Sequence, residues 1–238
     1  MKKKFIFAFS TVVLVLQVCG PALHALDVEI SLISRYIWRG FDLLPQNKPV
    51  LQPSLTIDFA ESGFSLNLWS SFGLAERRVY RELDEIDLTL HYERKISEKL
   101  YLGIGFTHYG YYFARSFSLR NNTTQELYLT LGLRALALAP EISLFYDFNL
   151  GDGFYGQIEF AETVFLREFL SLEAGARLGY NGGQYGISPG FSDLTFFTAL
   201  AFRGKVMTLT PFINLTWIFN HEINTDKVEV HGGLTLSF

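Results

Sequence analysis

The chain has 238 residues, 49% of them hydrophobic and 16% aromatic, with a formal charge of −4 and a mean hydropathy of +0.18. The acidic balance excludes the basic footprint that nucleic-acid binding needs. Beyond residue 25 no apolar run approaches the roughly 18 residues of a spanning helix; the nearest, Ala135 to Ala139, is stopped by Arg134 and Pro140.

The N-terminal segment reads as a secretory signal. Lys2, Lys3 and Lys4 give it a positive start, Phe5 to Val18 an apolar core, and Gly20, Pro21, Ala22 and Ala25 a small-residue exit. A cut after Ala25 gives a signal peptide over 1–25 and a mature region over 26–238. Leu23 fits the minus-three position poorly, so a cut a few residues away stays open. Cys19 raises a lipoprotein reading, but Gln17 and Val18 do not suit that cleavage. Losing three lysines takes the formal charge from −4 to −7 and removes the sole cysteine. The mature region then has no disulfide, no thiol nucleophile and no Cys-based metal site.

The mature region beats with a period of two, the side-chain repeat of a strand. The first strand is expected over Val28 to Arg39. The second sets Leu51, Pro53, Leu55, Ile57 and Phe59 against Gln52, Ser54, Thr56 and Asp58. Phe64, Leu66 and Leu68 then oppose Ser65, Asn67 and Trp69, and Ile86, Leu88, Leu90 and Tyr92 oppose Glu85, Asp87, Thr89, His91 and Glu93. The beat returns in 100–107, 127–133, 142–150, 170–180 and 207–219. It blurs in 155–166, where Glu162 takes the apolar parity, and in 192–202; a bulge in each is the expectation.

The last strand, Val228 to Phe238, alternates again, with Glu229, His231, Thr235 and Ser237 on its wet face. About twelve strands result. Short turns near 60–63, 95–99, 138–141, 167–169 and 203–206 alternate with longer polar loops. The pattern predicts an all-β, antiparallel up-and-down transmembrane barrel with both termini periplasmic, in the outer membrane of a Gram-negative-type bacterium. Tyr36, Trp38, Tyr111, Tyr112, Trp217 and Phe219 are expected at the upper interface, and Phe59, Phe64, Tyr92 and Phe238 at the lower one. A soluble sandwich also alternates, but the loop-length alternation and interfacial aromatics speak against it.

Two resemblances follow from these residues. The strand ending on Phe238 resembles the C-terminal assembly signal of bacterial outer-membrane barrels, which implies recognition by the assembly machinery. Ser34-Arg35-Tyr36-Ile37-Trp38-Arg39-Gly40, then Pro49-Val50-Leu51-Gln52-Pro53, then Gly63-Phe64 through Trp69, resembles the TorF-type porin family over the first third of the mature region. The acidic strand Glu85 to Tyr92 fits that pattern too. Arg35 stands where the family commonly has an acid, and Pro53 replaces a usual Gly. The resemblance implies an outer-membrane pore.

By parity the lumen receives Asp58, Glu85, Asp87, Glu93, Glu126, Asp147, Glu159, Glu173 and Glu229, against Arg35, Arg39, Arg134 and Arg177, with His91 and His231. Surplus acids favour cations or weakly basic solutes. The alternative is that acids and arginines brace a plugged interior, because eight-stranded barrels are filled by side chains and only those of sixteen or more leave wide channels. Trp69 is either a constriction or filler. Closure brings the last strand beside the first, so Glu229 and His231 are expected to meet Arg35 and Arg39 in a latch at the seam.

Two rival classes remain. A lipid-modifying hydrolase needs Ser and His within hydrogen-bond reach near the outer rim. His108 lies high with apolar parity, but only Ser116 and Ser118 of a loop could approach it, and His221 sits in a loop beside Asn220 and Glu222. No catalytic set, cofactor motif or metal-ligand spacing emerges. A structural or adhesive barrel would present its loops, of which one carries Gly182, Gly183 and Gly186 and another a basic tip of Arg77, Arg78 and Arg81. The expected partners are membrane lipid, the assembly machinery and small solutes. No feature specifies an oligomeric state.

Overall fold

A sheet whose alternate residues are apolar has one greasy face and two unpaired edges; closing it on itself removes the edges. The computed structural model describes residues 23–44, 48–76, 84–111, 123–134 and 138–238. The expected signal segment up to residue 22, Tyr112, the basic tip at 77–81 and Ser116 and Ser118 lie outside the described residues.

The strands are β1 (Leu23–Ile33), β2 (Ile37–Trp38), β3 (Phe41–Asp42), β4 (Val50–Phe59), β5 (Phe64–Gly73), β6 (Glu85–Ser97), β7 (Leu100–Tyr111) and β8 (Thr123–Leu133). They continue with β9 (Glu141–Asp147), β10 (Gly153–Arg167), β11 (Leu170–Gly182), β12 (Gly190–Arg203), β13 (Thr208–Ile218) and β14 (Val228–Ser237). β1 and β4 to β14 form a closed antiparallel barrel of twelve strands. The seam joins β1 to β14 through pairs from Glu29–Ser237 to Ile33–Gly233, and Phe238 exchanges backbone hydrogen bonds with Val28. Both β1's start and β14's end lie at the end of the barrel that carries the short turns.

The period of two sorts the side chains. Leu88, Leu90, Ile104, Phe106, Leu127, Leu129, Ile142 and Leu144 are exposed on the outer wall. The inner wall carries polar groups that partner one another across strands: Ser31 with Thr235 at 2.8 Å, Thr89 with Thr107, Thr130 with Ser143 and Thr195 with Thr216, each at 2.9 Å. Short hydroxyl pairs of this kind stabilise the sheet and leave lumen space that larger side chains would fill. Among the described residues no helix is long and apolar enough to cross a membrane.

The short turn between β4 and β5 rests on Gly63. Its φ is +80°, and a Cβ there would stand 2.4 Å from the Glu93 carbonyl oxygen. Only glycine meets both conditions.

Two expectations are corrected and one is met. β1 ends at Ile33, so Arg35 to Arg39 leave the wall instead of completing the first strand. A bulge does occur in β12, where Leu178 pairs with Leu194 but Tyr180 pairs with Phe191. In β10 the ladder with β11 runs unbroken from Tyr155 to Phe165 and shifts only before Arg167, so Glu162 stays on the outer parity of Ile158 and Phe160, opposite Ala174.

Candidate functional site

Between β1 and β4, the described residues 34–44 and 48–49 belong to loop 1, whose β2 and β3 part turns into the barrel mouth. Its apolar residues explain the turn inward: Leu44 is buried against Gly73, and Trp38 packs on Tyr109, Tyr185 and Phe41. β2 and β3 pair as a miniature hairpin whose two-residue tip is Arg39-Gly40, with φ of 51° and 85°. Two successive positive φ values are the signature of the hairpin turn that fits strand twist. Gly40 adopts this without strain, whereas Arg39 does so at a cost of about 1–2 kcal/mol.

That tip projects Arg39 into the lumen. Nη1 donates to Glu126 Oε2 at 2.6 Å and Nη2 to Glu126 Oε1 at 2.9 Å, while Nη1 also donates to Gln184 Oε1 at 3.0 Å. Glu126 is on β8; Gln184, fully buried, is in a short 3-10 turn after β11. The guanidinium lies 4.3 Å from the Trp38 and Phe145 ring centroids and 4.4 Å from that of Tyr155. A bidentate, desolvated pair of this kind is strong, and leaving either partner alone in it costs about 3–5 kcal/mol. Arg39 is therefore a bolt across the lumen, not a member of the seam.

The seam latch exists in part. Arg35 donates to Glu229, which also accepts from Asn224 Nδ2 at 3.1 Å. His231 has a different partner from the expected arginines: its Nε2 lies 3.0 Å from Asn214 Nδ2 on the neighbouring strand. His231 Nδ1 is buried with no hydrogen-bond partner among the described residues.

The other lumen residues fall into two tiers. In the loop half, Glu85 accepts from the Tyr36 hydroxyl at 3.0 Å, Asp87 accepts from the Gly110 N–H at 3.3 Å, and Trp69 stacks near Tyr36 with ring centroids 5.7 Å apart. Tyr36, Trp38 and Tyr111, expected at the membrane interface, thus serve the lumen: the first two ride on loop 1 and Tyr111 shares the face of Glu85. Trp217 and Phe219 are exposed on the outer wall. Asp147 Oδ1 accepts from the Thr124 hydroxyl of β8 at 2.5 Å and from the Asn149 and Gly151 N–H groups of its own loop at 2.9 Å.

In the turn half, Asp58, His91 and Arg177 are half-buried, and Arg134 and Glu173 are exposed. His91 hydrogen-bonds the Tyr128 hydroxyl at 2.8 Å, Arg177 donates to Glu159 at 2.7 Å, and Arg134 lies over the Tyr101 ring at 4.6 Å. The two tiers meet at a cavity of about 260 Å³ beneath Arg39, bounded by Trp38, Gln157, Arg177, Asp193, Asn214 and His231 among others. Gln157, Asp193, Asn214 and Gln184 escaped the sequence reading because nothing local distinguishes them; the Arg39-Gly40 pair did carry a signal, an X-Gly hairpin tip inside an aromatic stretch.

Among the described residues no group of three His, Cys, Asp or Glu side chains has metal-site geometry. Near the rim, His108 Nδ1 lies 3.0 Å from Gln125 Nε2, whose amide oxygen in turn accepts from Asn149 at 2.5 Å.

Several solved barrels share the fold. The NanC porin superposes with a TM-score of 0.51 at 13% identity, covering 90% of this chain and 99% of that one. The KdgM porin gives 0.52 at 12% identity, over 89% and 98%. The translocator domain of the autotransporter NalP from Neisseria meningitidis gives 0.54 at 12% identity, over 99% and 97%. One fold thus serves porins and a translocator, and at such identities the likeness establishes the outer-membrane barrel fold alone. None of the curated proteins matches the chain. The family comparison does not confirm the TorF-type name. The model that matches covers residues 19–199, and the chain belongs to that family, Gcw_chp, described as a bacterial protein of unknown function.

Proposed function

We propose that the protein is a narrow outer-membrane channel for small solutes, with loop 1 as its constriction. In this reading the barrel sits in the outer membrane of a Gram-negative-type bacterium, its loop end outside and both termini in the periplasm. Membrane lipid covers the outer wall, and the assembly machinery engages the terminal strand and Phe238. No nucleic acid, cofactor or metal is involved.

The observation that carries the reading is the contrast between the two halves of the lumen. In the turn half the inner wall stays solvent-accessible, from Thr56, Asp58 and Asn67 round to Arg177. In the loop half loop 1 makes the closure with the turn after β11, bolted through Arg39 to Glu126 of the wall and Gln184 of that turn. A barrel built only as a scaffold would fill its lumen with wall side chains, as the smallest barrels do. Here the closing element is a connection between strands, the kind of segment that moves.

Cation preference follows from unmatched acids. Arg35, Arg39 and Arg177 are each matched by a carboxylate. Asp58 and Glu173 have no cationic partner among the described residues and face the open half of the lumen, while Glu85 and Asp87, likewise without one, are buried against Tyr36 of loop 1 and the Gly110 backbone. Surplus acids on the lumen wall favour cations. The test is planar-bilayer recording of the purified chain under a salt gradient: discrete steps with a cation-selective reversal potential support the channel, and a silent bilayer sinks it.

A structural barrel is the second reading, favoured by the tightness of the Arg39 bolt itself. An enzyme has no support among the described residues, where the rim His108 faces the Gln125 amide with Asn149 beyond it, and an amide is not a nucleophile.

A further inference from the structure

We infer that the cavity beneath Arg39 is a binding site for a neutral, polyhydroxylated solute of monosaccharide size; the inference rests on reading the lumen as a solute path.

Size gives the first constraint. At about 260 Å³ the cavity falls just under the roughly 300–1,000 Å³ of pockets for drug-sized ligands. It suits a single small ring and not a chain.

Charge gives the second. Two guanidinium groups border the space, and each is already matched: Arg39 by both oxygens of Glu126, and Arg177 by Glu159 at 2.7 Å. An anion would meet no uncompensated positive charge. The carboxylate that borders it, Asp193, has its Oδ1 occupied by the Ser192 hydroxyl at 2.7 Å and the Tyr155 hydroxyl at 3.2 Å. The Asp193 charge also faces the Arg177 and Arg39 guanidinium groups across the same space, so a cation meets a carboxylate that two positive groups already share. The buried charges position and polarise the walls without selecting an ion.

Hydrogen-bonding capacity gives the third. Gln157 lines the cavity and its amide has no partner among the described residues. Asn214 spends an N–H on His231 Nε2, which leaves its carbonyl oxygen as an acceptor. With Nε2 accepting, His231 Nδ1 carries the ring hydrogen, and that buried donor is unpartnered. A buried donor left unmade costs about 1–3 kcal/mol. Mixed donors and acceptors at close quarters are what hydroxyl groups satisfy, since each hydroxyl both gives and accepts. The rings of Trp38, Tyr109, Phe145 and Tyr155 supply the apolar border.

The test is isothermal titration of the folded, detergent-solubilised full chain. The probes are neutral glucose, galactose and xylose, with glucuronate and glucosamine as charged analogues of the same ring. Saturable binding of at least one neutral sugar, at least tenfold tighter than its charged analogues, is expected. Asn214→Leu and Gln157→Leu should each weaken it at least tenfold while heat-modifiable gel migration, the sign of an intact barrel, persists. Absence of saturable neutral-sugar binding, equal or tighter glucuronate binding, or native affinity in both variants overturns the site. Bilayer recording of the same preparation separates the two claims. Conductance without sugar binding removes the site and leaves the channel; sugar binding without conductance removes the channel and leaves the site.

Discussion

Arg39 and Glu126 come from elements 87 residues apart and meet as a two-pronged pair, Nη1 to Oε2 at 2.6 Å and Nη2 to Oε1 at 2.9 Å. Loop 1 and the barrel wall are locked at this point, with Trp38, Phe145 and Tyr155 excluding water from the guanidinium. Replacing Arg39 by alanine strands a buried carboxylate, costs about 3–5 kcal/mol locally and frees the loop tip. The expected result is a larger and more persistent conductance than native. Arg39→Lys should behave nearly as the alanine variant, because an ammonium cannot make both prongs.

The seam pair is a different device. Arg35 keeps about a quarter of its side chain exposed (23%), so its contact with Glu229 is partly screened. Glu229→Gln should lower the temperature at which the barrel loses its compact gel migration by a few degrees while leaving conductance near native. A conductance change as large as that of Arg39→Ala would show that both pairs belong to the gate.

Loops 183–189 and 219–227 are tied outside the barrel by Glu222, whose carboxylate accepts from the Ser188 N–H at 2.7 Å and the Ser188 hydroxyl at 2.9 Å. The Ser188 N–H, then its hydroxyl, hold this carboxyl below its ordinary value. Since the tied form binds the proton less readily, the tie is at full strength above the ordinary carboxylate pKa and is lost as pH falls through the lowered one. Hydrogen-exchange protection of the Ser188 amide should therefore drop on acidification, and Glu222→Gln should reduce it at neutral pH.

Gly179 lies under the cavity wall. A Cβ there would stand 2.2 Å from the Tyr155 hydroxyl and 2.6 Å from Asp193 Oδ1. Gly179→Val should displace Tyr155, loosen the Arg39 sandwich and reduce the yield of refolded barrel, read by heat-modifiable migration. An unchanged yield and conductance would show that the Tyr155–Asp193 contact does not support the bolt.

The barrel was legible because its cause is local. A period of two in Leu51 to Phe59 or Ile86 to Tyr92 dictates which side chains face out, whatever the rest of the chain does. The bolt was not, because its cause is a long-range meeting. Arg39 continues the strand parity of Arg35, and only its Gly40 neighbour hinted that the chain would turn at φ 51° instead. The same limit applies to Asn214 and Gln157, ordinary inward polar residues until closure sets them around one space. Asp147 misled in the opposite sense: it has lumen parity, but spends its Oδ1 on the turn that follows its strand.

The measurement that bears most directly on the account is single-channel recording of the native chain and Arg39→Ala under a potassium chloride gradient. The account predicts narrow cation-selective steps for the native chain, and steps of greater amplitude or open time, still cation-selective, once the bolt is gone. Two folded barrels that both stay silent, or a variant indistinguishable from native, would contradict it.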